Sequence, residues 1–235
     1  MVQELKPSQQ TVSFSSRKIR ECAQGEGSKK AAFPRLVVGL TGGFGTGKSS
    51  VAQFFRKFGA EVLDADKISH DALKKGSPVF DQVVELFSDA CEKNGKKLNR
   101  DKIAEDVFTD PQKRKQLEAL IHPYVYEKLK DKIESSDRNI ILVEIPLLFE
   151  AGFQTLCDKV LVVQCNFSVK EKRLNRKRFT TEEIRARERA QMPEALKAQK
   201  ADFVLDNSKS IYQTRRDAEL LWHKFESLSK GATKK

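Results

Sequence analysis

Five short runs of apolar residues recur along the chain, each bounded by glycine or polar residues. They fall at residues 36–41, 61–63, 140–143, 160–163 and 203–205. Continuous runs of this length, rich in Val, Ile and Leu, are typical of strands buried on both faces of a sheet. The pattern therefore predicts five strands of a parallel sheet.

Helical spacing separates these runs. Apolar residues three and four positions apart between Val51 and Phe58 predict a helix that ends at Gly59, and the same spacing from Ile211 to Phe225 predicts a C-terminal helix. Strands that alternate with helices indicate an α/β fold, in which helices cover both faces of the sheet.

A long gap separates the second and third runs, and its apolar residues have helical spacing. We interpret residues 67–138 as a helical substrate-binding insertion and residues 170–199, which are rich in Lys and Arg, as a basic lid. The nucleotide-binding core is then expected to comprise residues 35–66, 139–169 and 200–235.

Residues 1–34 are rich in Ser, Gln, Lys and Gly, so we expect a disordered extension here. This stretch lacks the apolar segment of a secretory signal. The four cysteines include no C-x-x-C pair, which favours reduced thiols in a cytoplasmic protein. A membrane partner is not expected, because no apolar run approaches the roughly 20 residues that span a bilayer.

The strongest motif is Gly42-Gly43-Phe44-Gly45-Thr46-Gly47-Lys48-Ser49, which fits G-x-x-x-x-G-K-[ST] and lies between a predicted strand and helix. Its glycines let backbone N–H groups turn toward phosphate oxygens, and the helix N-terminus adds a positive field. Lys48 would reach the β- and γ-phosphates of ATP, and the Ser49 hydroxyl would ligate Mg²⁺. The chain contains neither N-K-x-D nor LSGGQ, so small-molecule kinases are the leading class.

Carboxylates follow the second and third runs. Asp64 and Asp66 are predicted to face the same way at the carboxyl edge of the sheet, beside the P-loop strand, where ligands bind. Asp66 could accept a proton from an attacking hydroxyl, or could instead cap a helix. Glu144 reaches the same edge, near either the metal or the base, and the following Pro-Leu-Leu segment could pack in the core, contact a ligand or do both.

The chain carries 44 Lys and Arg against 33 Asp and Glu, a net charge of +11 that attracts anions. A nucleic-acid-stimulated ATPase would use this charge directly. However, the basic segment has almost no interleaved aromatic residues and no nucleic-acid-binding motif, so we expect no nucleic-acid partner. A kinase lid that brings arginines over the triphosphate is the preferred interpretation.

In combination, these motifs resemble the dephospho-CoA kinase family from Leu36 to the C-terminal helix. The resemblance is carried by an ordered set of segments: LTGGFGTGKSS, GAEVLDAD, IHP, EIPLLFE, RERAQMP and KADFVLDNS. It implies ATP-dependent phosphorylation of the ribose 3′-hydroxyl of dephospho-CoA, the final step of coenzyme A synthesis. A nucleoside or nucleoside-monophosphate kinase is the alternative that an acceptor screen would separate.

The resemblance also implies roles for individual residues. Asp66 matches the general base, Lys48 and Arg187 are the other expected catalytic groups, and Arg187 with Gln191 matches the R-x-x-x-Q of the lid. Residues expected to bind ATP are Gly43, Gly45, Thr46, Gly47, Lys48, Ser49, Ser50, Arg173 and Asn207, the last on the adenine side. Expected acceptor contacts are Asp66, His122, Pro146, Leu147 and Leu148. One departure is Lys177, which stands where the family usually has a second lid arginine.

Overall fold

The computed structural model describes residues 35–91 and 98–231. The predicted N-terminal extension lies outside this part of the chain. Five parallel strands form one sheet in the order β2-β3-β1-β4-β5, which confirms the predicted sheet. The strands are β1 (Leu36–Gly42), β2 (Glu61–Asp64), β3 (Ile140–Glu144), β4 (Lys159–Gln164) and β5 (Phe203–Asp206).

β1 is the central strand, so every one of its residues is buried. It pairs with β3 on one side, where Leu36 lies opposite Ile140, and with β4 on the other, where Val38 lies opposite Lys159. β2 and β3 lie on one side of β1, and β4 and β5 lie on the other, so the strand order reverses direction at β1. A ligand crevice is expected at the carboxyl ends of the strands at such a point, and the glycine-rich loop begins there.

Nine α-helices lie in the described part of the chain. They are α1 (Lys48–Phe58), α2 (Ala65–Ala72), α3 (Phe80–Leu86), α4 (Arg100–Thr109), α5 (Pro111–Ser135), α6 (Phe167–Asn175), α7 (Thr181–Arg189), α8 (Glu194–Gln199) and α9 (Ile211–Gly231). Alternate strand residues pack on opposite sides of the sheet. Val37 and Ile141 pack with α2 and α5, whereas Val38 and Leu142 pack with α1 and α9.

The described residues between β2 and β3 are mainly helical, as their apolar spacing predicted. α3, α4 and one side of α5 enclose a small core of their own around Phe80, Val83, Phe87 and Ile103. α5 begins at a proline that follows the capping side chain of Asp110, a favourable start for a helix. The assignment of this helical region to the acceptor substrate stays a prediction.

No helix among residues 35–91 and 98–231 is both long and apolar enough to cross a membrane. Cys91, Cys157 and Cys165 are free thiols in the described structure. The cytoplasmic location inferred from cysteine usage stays a prediction.

Candidate active site

The glycine-rich loop turns directly from β1 into α1. Gly47 has φ 88° and ψ 26°, a left-handed conformation, and precedes the first helical residue. A Cβ atom at this position would lie 2.2 Å from Nδ2 of Asn207, so only glycine fits. No side chain of the described residues caps the N-terminus of α1, and its first turn has no acidic residue. The loop and helix terminus therefore form a site suited to an anion.

Thr46 and Asn207, both predicted to bind ATP, form hydrogen bonds with the backbone of this loop. The fully buried Thr46 hydroxyl donates to the carbonyl of Gly43 at 3.1 Å. Nδ2 of Asn207 donates to the carbonyl of Thr46 at 2.7 Å, and its Oδ1 accepts from the Thr214 hydroxyl at 2.9 Å. Asn207 also lines a cleft beside the loop, but its amide is engaged with protein at both ends. The side chains of Thr46 and Asn207 thus support the loop.

The side chain of Lys48 folds back over the glycine-rich loop. Its Nζ donates to the carbonyls of Gly42 and Gly43, both at 3.0 Å. Burial lowers the pKa of Lys48 to about 8, although the neighbouring Glu144 and Asp66 carboxylates act in the opposite direction. A bound polyphosphate would favour the charged ammonium, because opposite charges close together stabilise each other.

The first turn of α1 meets the end of β3 at Ser49 and Glu144. The Ser49 hydroxyl donates to Oε1 of Glu144 at 2.8 Å. Burial raises the pKa of Glu144, whereas this hydrogen bond lowers it. Mg²⁺ in phosphotransferases is typically held by one or two protein oxygens with phosphate and water, and this pair fits that requirement. Glu144 thus lies against the hydroxyl that is predicted to ligate Mg²⁺, and its own role stays a prediction.

The structure corrects the expected placement of the Asp64 and Asp66 pair. β2 ends at Asp64, and α2 begins at the next residue, so the two carboxylates do not alternate along a strand. Asp64 is the residue that caps α2, because its Oδ1 accepts from the backbone N–H of Lys67 at 3.1 Å. β3 lies between β2 and β1; the prediction that this pair sits beside the P-loop strand was therefore wrong.

Asp66 lies in the first turn of α2, close enough to the P-loop for its charge to interact with that of Lys48. The side chain keeps contact with solvent, yet nearby protein raises its pKa through loss of solvation, and the Asp64 carboxylate adds to that shift. The Lys48 ammonium opposes it, which shows that Asp66 lies within the electrostatic field of the P-loop lysine. A carboxylate with a raised pKa beside a phosphate site suits proton transfer.

Two helices of the basic segment, α6 and α7, bring arginines to the loop. Arg173, on α6, has its Nη1 3.9 Å from the position of a Cβ on Gly47. The guanidinium of Arg187, on α7, lies 5.0 Å from the ring centre of Phe44 in the loop and 5.3 Å from that of Phe179. Both distances are within the range of cation–π attraction. The two predicted lid arginines thus lie at the loop.

A cleft of about 550 Å³ lies between the loop and α6. Beside loop residues it is lined by Arg173, Leu174, Lys177, Phe179, Asn207 and Ile211. Lys177, the departure from the family pattern, therefore supplies a cation to the same cleft as Arg173. Ile211, the exposed first residue of α9, adds an apolar wall to the cleft that sequence reasoning missed.

The residues expected to contact the acceptor differ in how accessible the structure leaves them. Leu148 has no exposed surface and packs beneath Gly39, where a Cβ would come within 2.5 Å of its Cδ1. Leu148 is therefore a core residue, with no surface to offer a ligand. Leu147 and Pro146 keep partial exposure. His122 stands edge-on to Phe153, with ring centres 5.8 Å apart, and burial lowers the pKa of its imidazole.

A family model for dephospho-CoA kinase matches residues 36–213, which include every predicted site residue. The chain belongs to the dephospho-CoA kinase family. A dephospho-CoA kinase of Geobacillus kaustophilus is 36% identical over 199 residues, which cover 83% of this chain and 99% of that relative. A dephospho-CoA kinase of Aquifex aeolicus is 36% identical over 186 residues, 79% of this chain and 95% of that relative.

Solved structures agree with this membership of the dephospho-CoA kinase family. The crystal structure of TT1252 from Thermus thermophilus matches with a TM-score of 0.71 and 34% identity, covering 81% of this chain and 97% of that one. A dephospho-CoA kinase from Campylobacter jejuni matches with a TM-score of 0.62 and 27% identity, covering 83% and 98%. The resemblance drawn from the ordered motifs is therefore confirmed.

Two buried lysines of this dephospho-CoA kinase family member escaped sequence reasoning. Lys170 contacts Glu188 at 2.5 Å and Glu194 at 3.0 Å, which joins α6 to α7 and α8. Lys197 is fully buried in α8 and contacts Glu150 at 2.9 Å. Within a charged, lid-like segment, such lysines are indistinguishable by sequence from solvent-exposed ones.

Proposed function

We propose that the chain transfers the γ-phosphoryl group of ATP to the ribose 3′-hydroxyl of dephospho-CoA, giving coenzyme A and ADP. Membership of the family supports this reaction. The observation that carries the residue assignment is the contact between the helix that follows the phosphate loop and the end of β3, where the Ser49 hydroxyl donates to Glu144 at 2.8 Å. Lys48 lies within the electrostatic field of Glu144 and Asp66.

The triphosphate would bind to the loop amides and the N-terminus of α1. Lys48 would exchange its bonds to the Gly42 and Gly43 carbonyls for phosphate oxygens. Ser49 would bind Mg²⁺ directly, and Glu144, at 2.8 Å from the Ser49 hydroxyl, would hold it through water. When bound, the ion neutralises charge on the β- and γ-phosphates.

Asp66 would act as the general base. As the 3′-oxygen bonds to the γ-phosphorus, its proton passes to the Asp66 carboxylate, and the bond to the β-phosphate oxygen breaks to release ADP. The raised pKa of Asp66 makes it a better proton acceptor than an ordinary aspartate, provided that it is ionised at the working pH.

Arg173 and Arg187 would stabilise the charge of the transferring group. The structure holds the Arg187 guanidinium against Phe44, a residue of the phosphate loop itself. A modest rearrangement of α7 would bring it to the phosphate oxygens, and closure of the helices would exclude water, which competes with the alcohol as acceptor.

The decisive test compares Asp66→Asn with the native enzyme in a coupled assay of ADP release with dephospho-CoA. Loss of a general base is expected to lower kcat about 10²–10⁴-fold, while the Kd for ATP stays near native. Asp71→Asn is the matched control, because Asp71 is an exposed aspartate of the same helix, paired with Lys74, and it should retain native turnover.

Native turnover in the Asp66→Asn variant would remove Asp66 from the mechanism. An acceptor panel tests the reaction itself. Dephospho-CoA should be phosphorylated while nucleosides and nucleoside monophosphates are not, and neither DNA nor RNA should stimulate ATP hydrolysis.

A further inference from the structure

Lys197 is buried completely, although it is charged and lies on a short helix at the end of the lid segment. Its Nζ donates to the carbonyl of Pro146 at 2.8 Å and pairs with Oε1 of Glu150 at 2.9 Å. A buried ammonium is unfavourable unless its partners are well placed. These two partners belong to the segment that follows β3.

The Pro146 carbonyl is a junction between two strands of the active site. It also accepts a hydrogen bond from the Thr41 hydroxyl at 3.1 Å. Thr41 belongs to β1 and immediately precedes the phosphate loop, whereas Pro146 follows Glu144 by two residues. Lys197 and Thr41 therefore fix one carbonyl that ties the origin of the loop to the strand end bearing Glu144.

The Glu150 carboxylate extends this junction to the lid. The same Oε1 atom that pairs with Lys197 also accepts the backbone N–H of Met192 at 2.8 Å. Met192 follows α7, the helix that carries Arg187. One ammonium thus connects the strand end that bears Glu144, the phosphate loop and the exit of the lid helix.

We propose that Lys197 is a positioning residue for phosphoryl transfer, which acts by pinning the Pro146 carbonyl and the Glu150 carboxylate. In this role it holds Glu144 against Ser49 and sets the base of the lid relative to the loop. Because it is fully buried, it would touch neither nucleotide nor acceptor. The inference rests on the proposed function, because its readout is turnover with dephospho-CoA.

The test uses Lys197→Met, which keeps the volume of the side chain and removes both polar contacts. In the folded variant kcat should fall about 10–100-fold, the scale of a misplacement of about 1 Å. The KM for ATP should change less than about threefold, since the loop amides and Lys48 are retained. Lys197→Arg can donate to both acceptors, and it should recover most of the native kcat.

A double-mutant cycle tests the path through Pro146. Thr41→Val removes the other donor to this carbonyl without changing the shape of the side chain, and it should lower kcat about 3–10-fold by the same misplacement argument. If both residues act through Pro146, the fold-losses of the single variants will not multiply in the double variant. Multiplicative losses would overturn the shared path.

Circular dichroism and the Kd for ATP identify variants that are folded. A folded Lys197→Met enzyme with native kcat, or an Arg variant no better than the Met variant, overturns the positioning role. Should Lys197→Met fail to fold, Thr41→Val decides, and a native kcat there overturns the role of the Pro146 carbonyl. Native enzyme that shows no ADP release with dephospho-CoA contradicts the proposed function instead.

Discussion

Two roles of Asn207 can be distinguished by experiment: contact with the nucleotide and support of the phosphate loop. Sequence comparison with the family placed it on the adenine side. In the structure it is buried, with Nδ2 bonded to the Thr46 carbonyl at 2.7 Å and Oδ1 bonded to the Thr214 hydroxyl at 2.9 Å. An Asn207→Ala variant should therefore destabilise the protein even without ATP.

The expected loss follows from the two hydrogen bonds. The Thr46 carbonyl would be left buried without its donor, which costs about 1–3 kcal/mol. The Thr214 hydroxyl can donate its one proton to the Ser210 carbonyl at 3.1 Å instead, so losing the bond to Asn207 costs nearer 1 kcal/mol. We expect a total of about 3 kcal/mol, which for a protein of this size lowers Tm by roughly 6–12 °C.

Thermal unfolding and ATP titration together test this account of Asn207. Asn207→Ala should lower the Tm of the ligand-free enzyme and weaken ATP binding, because the loop loses its support. Thr214→Val is the matched control, since it removes the outer hydrogen bond and leaves the Asn207–Thr46 bond in place, and its Tm should fall by about a third as much. An unchanged ligand-free Tm in Asn207→Ala would refute the loop-supporting role and favour direct contact with the nucleotide.

Two further variants test the cleft. Asp64→Asn keeps the cap of α2 but removes a charge that raises the pKa of Asp66. Because the base must be ionised, the acid limb of the pH profile of kcat/KM should move to lower pH. An unmoved limb would contradict the assignment of Asp66 as the base. Gly47→Ala should weaken ATP binding more than tenfold by calorimetry, since its Cβ would lie 2.2 Å from Asn207. Gly152→Ala is the control, because Gly152 also has a positive φ of 76° but an added Cβ would meet no atom within 4 Å. Native ATP binding in both variants would contradict the steric argument.

The strands were predictable because burial on both faces of a parallel sheet leaves continuous apolar runs. The order of the strands was not, since nothing local in β2 indicates that β3 inserts between it and β1. The phosphate loop could likewise be predicted from the motif G-x-x-x-x-G-K-[ST]. Its strand, loop and helix are contiguous, so the places of Gly47 and Lys48 in the turn follow from adjacent residues, whereas the support of the loop by the distant Asn207 does not.

The prediction for Asp64 and Asp66 failed at a boundary that carries a sequence signal. Ile68 and Ala72 lie at helical spacing just after Asp64, and an aspartate before such a pattern is a common N-cap. That spacing places Asp64 at the cap and Asp66 in the first turn, as observed. The roles of Asn207 and Lys197 had no such signal. Their partners Thr46 and Pro146 are 161 and 51 residues away in sequence.

This contrast separates two levels of the active site. Local sequence specifies which groups can bind phosphate and accept a proton, because loop, cap and helix terminus form from adjacent residues. The distances between those groups depend on side chains that join distant segments: Asn207 beneath the loop, and Lys197 and Thr41 on one carbonyl. Since phosphoryl transfer depends chiefly on positioning and electrostatics, buried supporting residues should influence kcat even though they touch no substrate.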